Sequence, residues 1–107
     1  MNRRGAGERL ARALCAAFEP LGVEAECQSL SNRSWTSITF AGERHALRLI
    51  VAGERAGAAA DDFLAGLADR EVDLNGHLLV DLALVGEDRE TGRRVVLDLD
   101  AITVEAW

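Results

Sequence analysis

No apolar run in the 107 residues approaches the ~20 needed to cross a bilayer as a helix, which excludes an integral helical membrane protein. Lysine is absent, so all 12 basic residues are arginine. Alongside abundant alanine this reads as the coding bias of a GC-rich bacterial genome, because a phosphate or carboxylate clamp needs clustered arginines rather than many. No arginine stripe interleaved with aromatics occurs, and the formal net charge is −6. Direct nucleic-acid binding is therefore disfavoured. Cysteine is found only at Cys15 and Cys27, a spacing that fits no zinc or redox motif. Both read as reduced core residues, with a Cys15–Cys27 bridge between helix and strand as the alternative. HxE, HExxH, GxSxG, P-loop and dinucleotide fingerprints are all missing. The twin arginines Arg3 and Arg4 suggest an export signal, yet Glu8, Arg9, Arg12 and Glu19 interrupt the apolar stretch it needs. These absences favour a soluble, cytoplasmic protein without an enzymatic role, with no cofactor, no nucleic-acid partner and no membrane.

What is present is periodicity. Leu10, Leu14, Ala17, Phe18 and Leu21 fall on one stripe, which predicts a helix from about Gly7 to Phe18, stopped by Pro20, the lone proline. Val23, Ala25 and Cys27 alternate with polar residues as a strand. Trp35 to Ala41 and Arg44 to Val51 read as two more, joined by a tight turn at Gly42-Glu43. That turn sets Phe40 against His45, Ile38 against Leu47 and Thr36 against Leu49 on an inner face. Trp35, Ser37, Thr39, Arg44, Ala46 and Arg48 then lie outside. Ala60, Phe63, Leu64 and Leu67 mark a second helix. Val72 and Leu74 form a short extra strand before the Asn75-Gly76 turn. Two last strands follow, His77–Val85 and Arg93–Val104, joined by a polar loop, with a bulge near Asp100-Ala101 to account for a switch in apolar parity.

The expected fold is a single α+β domain over residues 1–107, a two-layer sandwich in the order αβββαββ. Its mostly antiparallel sheet has about five strands, with both helices on one face. In element order and acidity the chain resembles class I type III secretion chaperones, a likeness that no motif carries and that assigns no family. Charge is uneven. Residues 1–53 hold seven arginines against five acids, a balance of +2, whereas residues 54–107 hold five against 13, a balance of −8. An acidic surface suits a basic protein partner or cations.

Asp81, Asp98 and Asp100 interrupt apolar runs at strand spacing and so mark a wet sheet face. Pairing Leu84 with Val95 sets Asp81 directly across from Asp98, and facing carboxylates cost a few tenths to about 1 kcal/mol unless neutralised. A divalent cation held by Asp81, Asp98 and Asp100, with His77 on the same face, is one neutraliser; Arg48 or Arg94 is another. Neither a catalytic residue nor a cofactor site is assigned. Trp35 on the polar face, beside Ile50 in this register and near Arg48, reads as an interface anchor, as does Trp107. The favoured function is a protein-interaction module, adaptor or chaperone-like, with an unidentified protein partner and a homodimer as one arrangement. The alternative is a cation- or small-ligand-binding protein with hydrolytic chemistry on the three aspartates.

Overall fold

The computed structural model describes residues 5–105. Helix α1 spans Ala6–Ala16 and buries Leu10 and Leu14 of the expected stripe, with Ala11 beside them, while Phe18 is buried just past its end and Ala17 and Leu21 are half-buried. Pro20 sits in a short 3₁₀ turn, Glu19–Leu21, that closes on Gly22. Four strands follow the α1 segment in chain order, β1 (Glu24–Thr36), β2 (Ala41–Ala52), β3 (His77–Thr91) and β4 (Arg94–Glu105), with α2 (Ala56–Ala65) between β2 and β3. All are antiparallel in the spatial order β1-β2-β4-β3, and both helices lie on one face of this open sheet. The α+β class stands, with four strands in place of about five.

The buried face is built from alternate residues of the two central strands. Leu47, Leu49 and Val51 of β2 meet Leu99, Leu97 and Val95 of β4 across the ladder, each at most 1% exposed. Phe18 and Phe63 stack over them with ring centroids 4.9 Å apart. Leu74 is fully buried outside the sheet, so the expected extra strand at Val72–Leu74 is instead a core plug. Its carbonyl accepts from Arg9 Nη1 at 3.4 Å. The Asn75-Gly76 turn forms as expected, both residues at positive φ (48° and 98°). Among the described residues no helix is long and apolar enough to cross a membrane.

Three register expectations are corrected. The first hairpin does not turn at Gly42-Glu43: β1 runs through Ser31–Ser34 and the turn lies at Ser37–Phe40, closed by Ser37 N–H donating to the Phe40 carbonyl at 2.7 Å. Ser37 Oγ also accepts from the Phe40 N–H at 3.1 Å, so a serine supplies the turn chemistry that glycine was expected to provide. Phe40 and Ile38 consequently point away from the core, at 54% and 106% exposed. Second, β4 is unbroken at Asp100-Ala101, and the bulges fall in β3 at Val80, at Val85 and between Asp88 and Thr91, and in β1 at Leu30. Ala101 and Thr103 continue the buried face of β4, leaving Ile102 and Val104 outside with the aspartates. Third, residues 86–91, expected as loop, extend β3. Arg89 ties this hairpin to α2 by an ion pair with Asp61 at 2.7 Å.

Candidate functional site: the outer face of the sheet

Residues paired across a ladder share a face, so the register fixes what the outer face displays. Trp35 lies opposite Gly42, Arg33 opposite Arg44, and Arg48 opposite Gln28. From the other side of β2, Gly42 meets Val104, Arg44 meets Ile102 and Arg48 meets Asp98. Trp35 is on the outer face as expected, at the end remote from Ile50, beside which the sequence reading set it. Glycine at position 42 lets the indole lie flat against the strand: an added Cβ would fall 2.8 Å from Trp35 Cζ2 and 2.1 Å from the Thr103 carbonyl oxygen. Arg33, Ser34, Trp35, Arg44, Val80, Ile102 and Val104 line a shallow recess of about 640 Å³. Its floor is apolar because an unbroken β4 keeps Ile102 and Val104 outside, and because the bulge at Val80 leaves that side chain 55% exposed.

The three aspartates do not converge. Asp81 faces Ile102, Asp98 faces Gly86 and Asp100 faces Ala83, so the expected Asp81–Asp98 pair does not exist in this register. Asp98 is neutralised by Arg48 through Nε–Oδ1 at 2.8 Å and Nη2–Oδ2 at 3.4 Å. Gly86 opposite leaves that carboxylate its room, since a Cβ there would lie 3.3 Å from Asp98 Oδ2. Among the described residues no group of three or more His, Cys, Asp or Glu side chains gathers as metal ligands would. His77 sits opposite Glu105, on the helix-covered side, away from the aspartates. Arg48 is committed to Asp98, so of the anticipated interface residues Trp35 alone lines the recess; Trp107 lies outside the described residues. Arg33, Val80, Ile102 and Val104 were not singled out from sequence, because their convergence depends on bulges that leave no periodic trace.

The inner face ends in a polar cluster. His45 is 1% exposed; its Nδ1 lies 2.5 Å from Asn32 Oδ1 and its Nε2 lies 2.8 Å from Thr103 Oγ1. An amide oxygen only accepts, so Nδ1 carries the proton and Nε2 accepts from the threonine hydroxyl. Gly7 of α1 permits this arrangement, because a Cβ there would lie 2.2 Å from Asn32 Oδ1. Burial pushes the His45 imidazole below its ordinary range, Glu43 pulls it partly back, and His77 adds to the depression. The unfolded chain then binds the proton more readily than the fold. Stability is complete above the ordinary histidine pKa of 6.5 and declines as pH falls below it. Urea-melt stability should drop from about pH 7 to about pH 5 by up to ~1.4 kcal/mol per pH unit, and His45→Gln should flatten that slope. Equal slopes in the two proteins would show that folding does not lower the His45 pKa.

Cys15 and Cys27 are free thiols, half-buried between α1 and β1. Burial raises both, Cys27 to about 12, and Cys15 Sγ donates to the Ala25 carbonyl at 3.5 Å. Protonated at neutral pH, they are weak nucleophiles and poor metal ligands.

With this geometry established, comparison with known proteins is informative for the fold. No family model matches the chain, and no curated protein matches it. Among solved structures it is similar to a chain of the "Virion of native gene transfer agent (GTA) particle". The fold matches that of a virion chain. The TM-score is 0.53 at 20% identity, over 94% of this chain and 90% of the other. This likeness overturns the adaptor or chaperone-like reading and its cation-binding, hydrolytic alternative, since the architecture recurs almost end to end in a chain built into a particle. The resemblance to secretion chaperones goes with them: it rested on an order with three strands before the second helix, and there are two.

Proposed function

We propose that this protein is a structural component of a phage-like particle, assembling with other particle proteins. The observation that carries this reading is the near end-to-end likeness to the gene transfer agent virion chain. The outer face adds support. It carries a recess lined by Trp35, Val80, Ile102 and Val104, with Leu78 57% exposed at its rim, and large apolar side chains grouped on a surface commonly mark a protein contact. The protein is made and assembled in the cytoplasm and ends in released particles, with no enzymatic step of its own.

The test is direct. An epitope-tagged copy expressed from its native locus should band with nuclease-resistant particles on a density gradient, in fixed ratio to the major particle protein. Deletion of the gene should stop the release of complete particles. A tagged chain that stays at the top of the gradient, with particle release unchanged in the deletion strain, would overturn the assignment.

A further inference from the structure

We propose that the recess on the outer face docks an extended segment of a partner protein in which a carboxylate stands next to a large apolar side chain. The carboxylate lodges between Arg33 and Arg44, and the apolar side chain rests on Trp35, Val80, Ile102 and Val104. The partner's location rests on the particle reading; the chemistry of the recess does not.

Charge is the first argument. Arg33 and Arg44 are direct cross-strand partners on an exposed face, and facing like charges destabilise a sheet by a few tenths to about 1 kcal/mol. In a chain of net charge −6, acids to neutralise them are plentiful. Arg48, Arg89 and Arg93 each have such an acid, in Asp98, Asp61 with Glu87, and Glu54. Among the described residues Arg33 and Arg44 have none; Arg9, Arg12, Arg55, Arg70 and Arg94 also lack one, but only Arg33 and Arg44 face each other across a ladder. Two guanidinium groups side by side are the arrangement a carboxylate satisfies best, by charge-assisted and bidentate hydrogen bonds.

The second argument is the floor. Ile102 and Val104 are only partly exposed, whereas Val80 and Leu78 are more than half exposed, so a ligand gains most by covering the bulged strand. A recess of about 640 Å³ takes a short peptide segment with a few side chains and no globular domain. Nucleic acid is disfavoured as occupant, since two arginines cannot offset the acidic remainder of the surface. The bulges at Val80 and Val85 spoil the β3 edge as a template for strand addition, so recognition falls to side chains on the face.

The experiment uses Trp35 as its own reporter. In a Trp107→Phe background it is the sole tryptophan. The probes are a synthetic peptide alternating leucine with aspartate, its asparagine analogue and its lysine analogue. The acidic peptide should shift Trp35 emission saturably. Removing the charge should weaken binding about tenfold or more. Added salt should weaken it too. Arg33→Glu with Arg44→Glu should reverse the preference towards the lysine analogue, with the melting curve unchanged. Equal response to all three peptides, or acidic-peptide binding that survives the double charge reversal, overturns the proposal. So does a concentration-dependent doubling of mass that Arg44→Glu abolishes, because the occupant would then be a second copy of the chain. Particle incorporation is a separate measurement, so the docking chemistry can fail while the particle assignment holds, and the reverse.

Discussion

Phe63→Ala should cost about 4 kcal/mol, the range for a large aromatic deleted from a close-packed core. Phe63 is 1% exposed and stacks on Phe18, itself fully buried. The guanidinium of Arg70 lies 4.5 Å above its ring, and Arg70 Nη2 donates to the Phe63 carbonyl at 3.5 Å. Truncation therefore opens a cavity between α2 and the sheet, strips Phe18 of its stacking partner and leaves Arg70 without its aromatic surface. Arg70 Nε is already buried without a hydrogen-bond partner, so that guanidinium has little to fall back on. Against a total of 5–15 kcal/mol, typical of small domains, such a loss leaves the fold marginal. Urea denaturation should show a lower midpoint with an unchanged slope. Phe63→Leu, which keeps most of the volume, should lose less than about 1.5 kcal/mol. Equal losses for the two variants would mean the site collapses around any side chain.

Gly42→Ala should be nearly as damaging for the opposite reason, at about 3 kcal/mol, the upper range for overpacking. The new methyl would sit 2.1 Å from the Thr103 carbonyl oxygen, a backbone atom held in the β2–β4 ladder, and 2.8 Å from the Trp35 ring. Neither neighbour is a loose side-chain end. The ladder must open or the indole must lift, so the loss of stability should come with a change in Trp35 emission. Gly57→Ala is the matched control. Its Cβ would meet only Gly92, the carbonyl oxygen at an ordinary 3.7 Å and Cα at 4.0 Å, in the first turn of α2, where alanine is favoured by at most roughly 0.5–1 kcal/mol. A modest gain at Gly57 beside a large loss at Gly42 separates steric conflict from helix or strand propensity.

Gly42 also shows where sequence reading stopped. A glycine followed by a polar residue between two alternating segments is the ordinary signature of a tight turn. The glycine serves instead a cross-strand aromatic, a need that no local pattern reveals. The alternation of Leu47, Leu49 and Val51, and of Val95, Leu97 and Leu99, was legible because both strands are regular and flanked by covered neighbours. The stripes of α1 and α2 were legible for the same reason. Trp35 was placed on the correct face although its partner was wrong, since Ile50 and Gly42 are both even positions of β2. The aspartates mark the outer face as expected, but three bulged residues, Leu30, Val80 and Val85, decide which side chains meet on it. Each is an exposed apolar residue where alternation demands a buried one or none. A bulge is paid for in ladder bonds, and its position is set by the partner strand rather than by the residue itself.

The order β1-β2-β4-β3 places the strand that comes last in the chain second from the edge. During synthesis β1 and β2 can zip as a hairpin, and α1 can settle on it. Strand β3 then emerges with no neighbour, its exposed valines and leucines on a chain that has nowhere to lie. Only β4 supplies the missing rung, pairing Gly42 with Val104 on one side and Leu79 with Thr103 on the other. Such distant pairings close slowly, because the loop must be ordered before the contacts repay it. Without β4 the β1-β2 hairpin is an open ledge, and β3 has nothing to pair with until β4 lies between them.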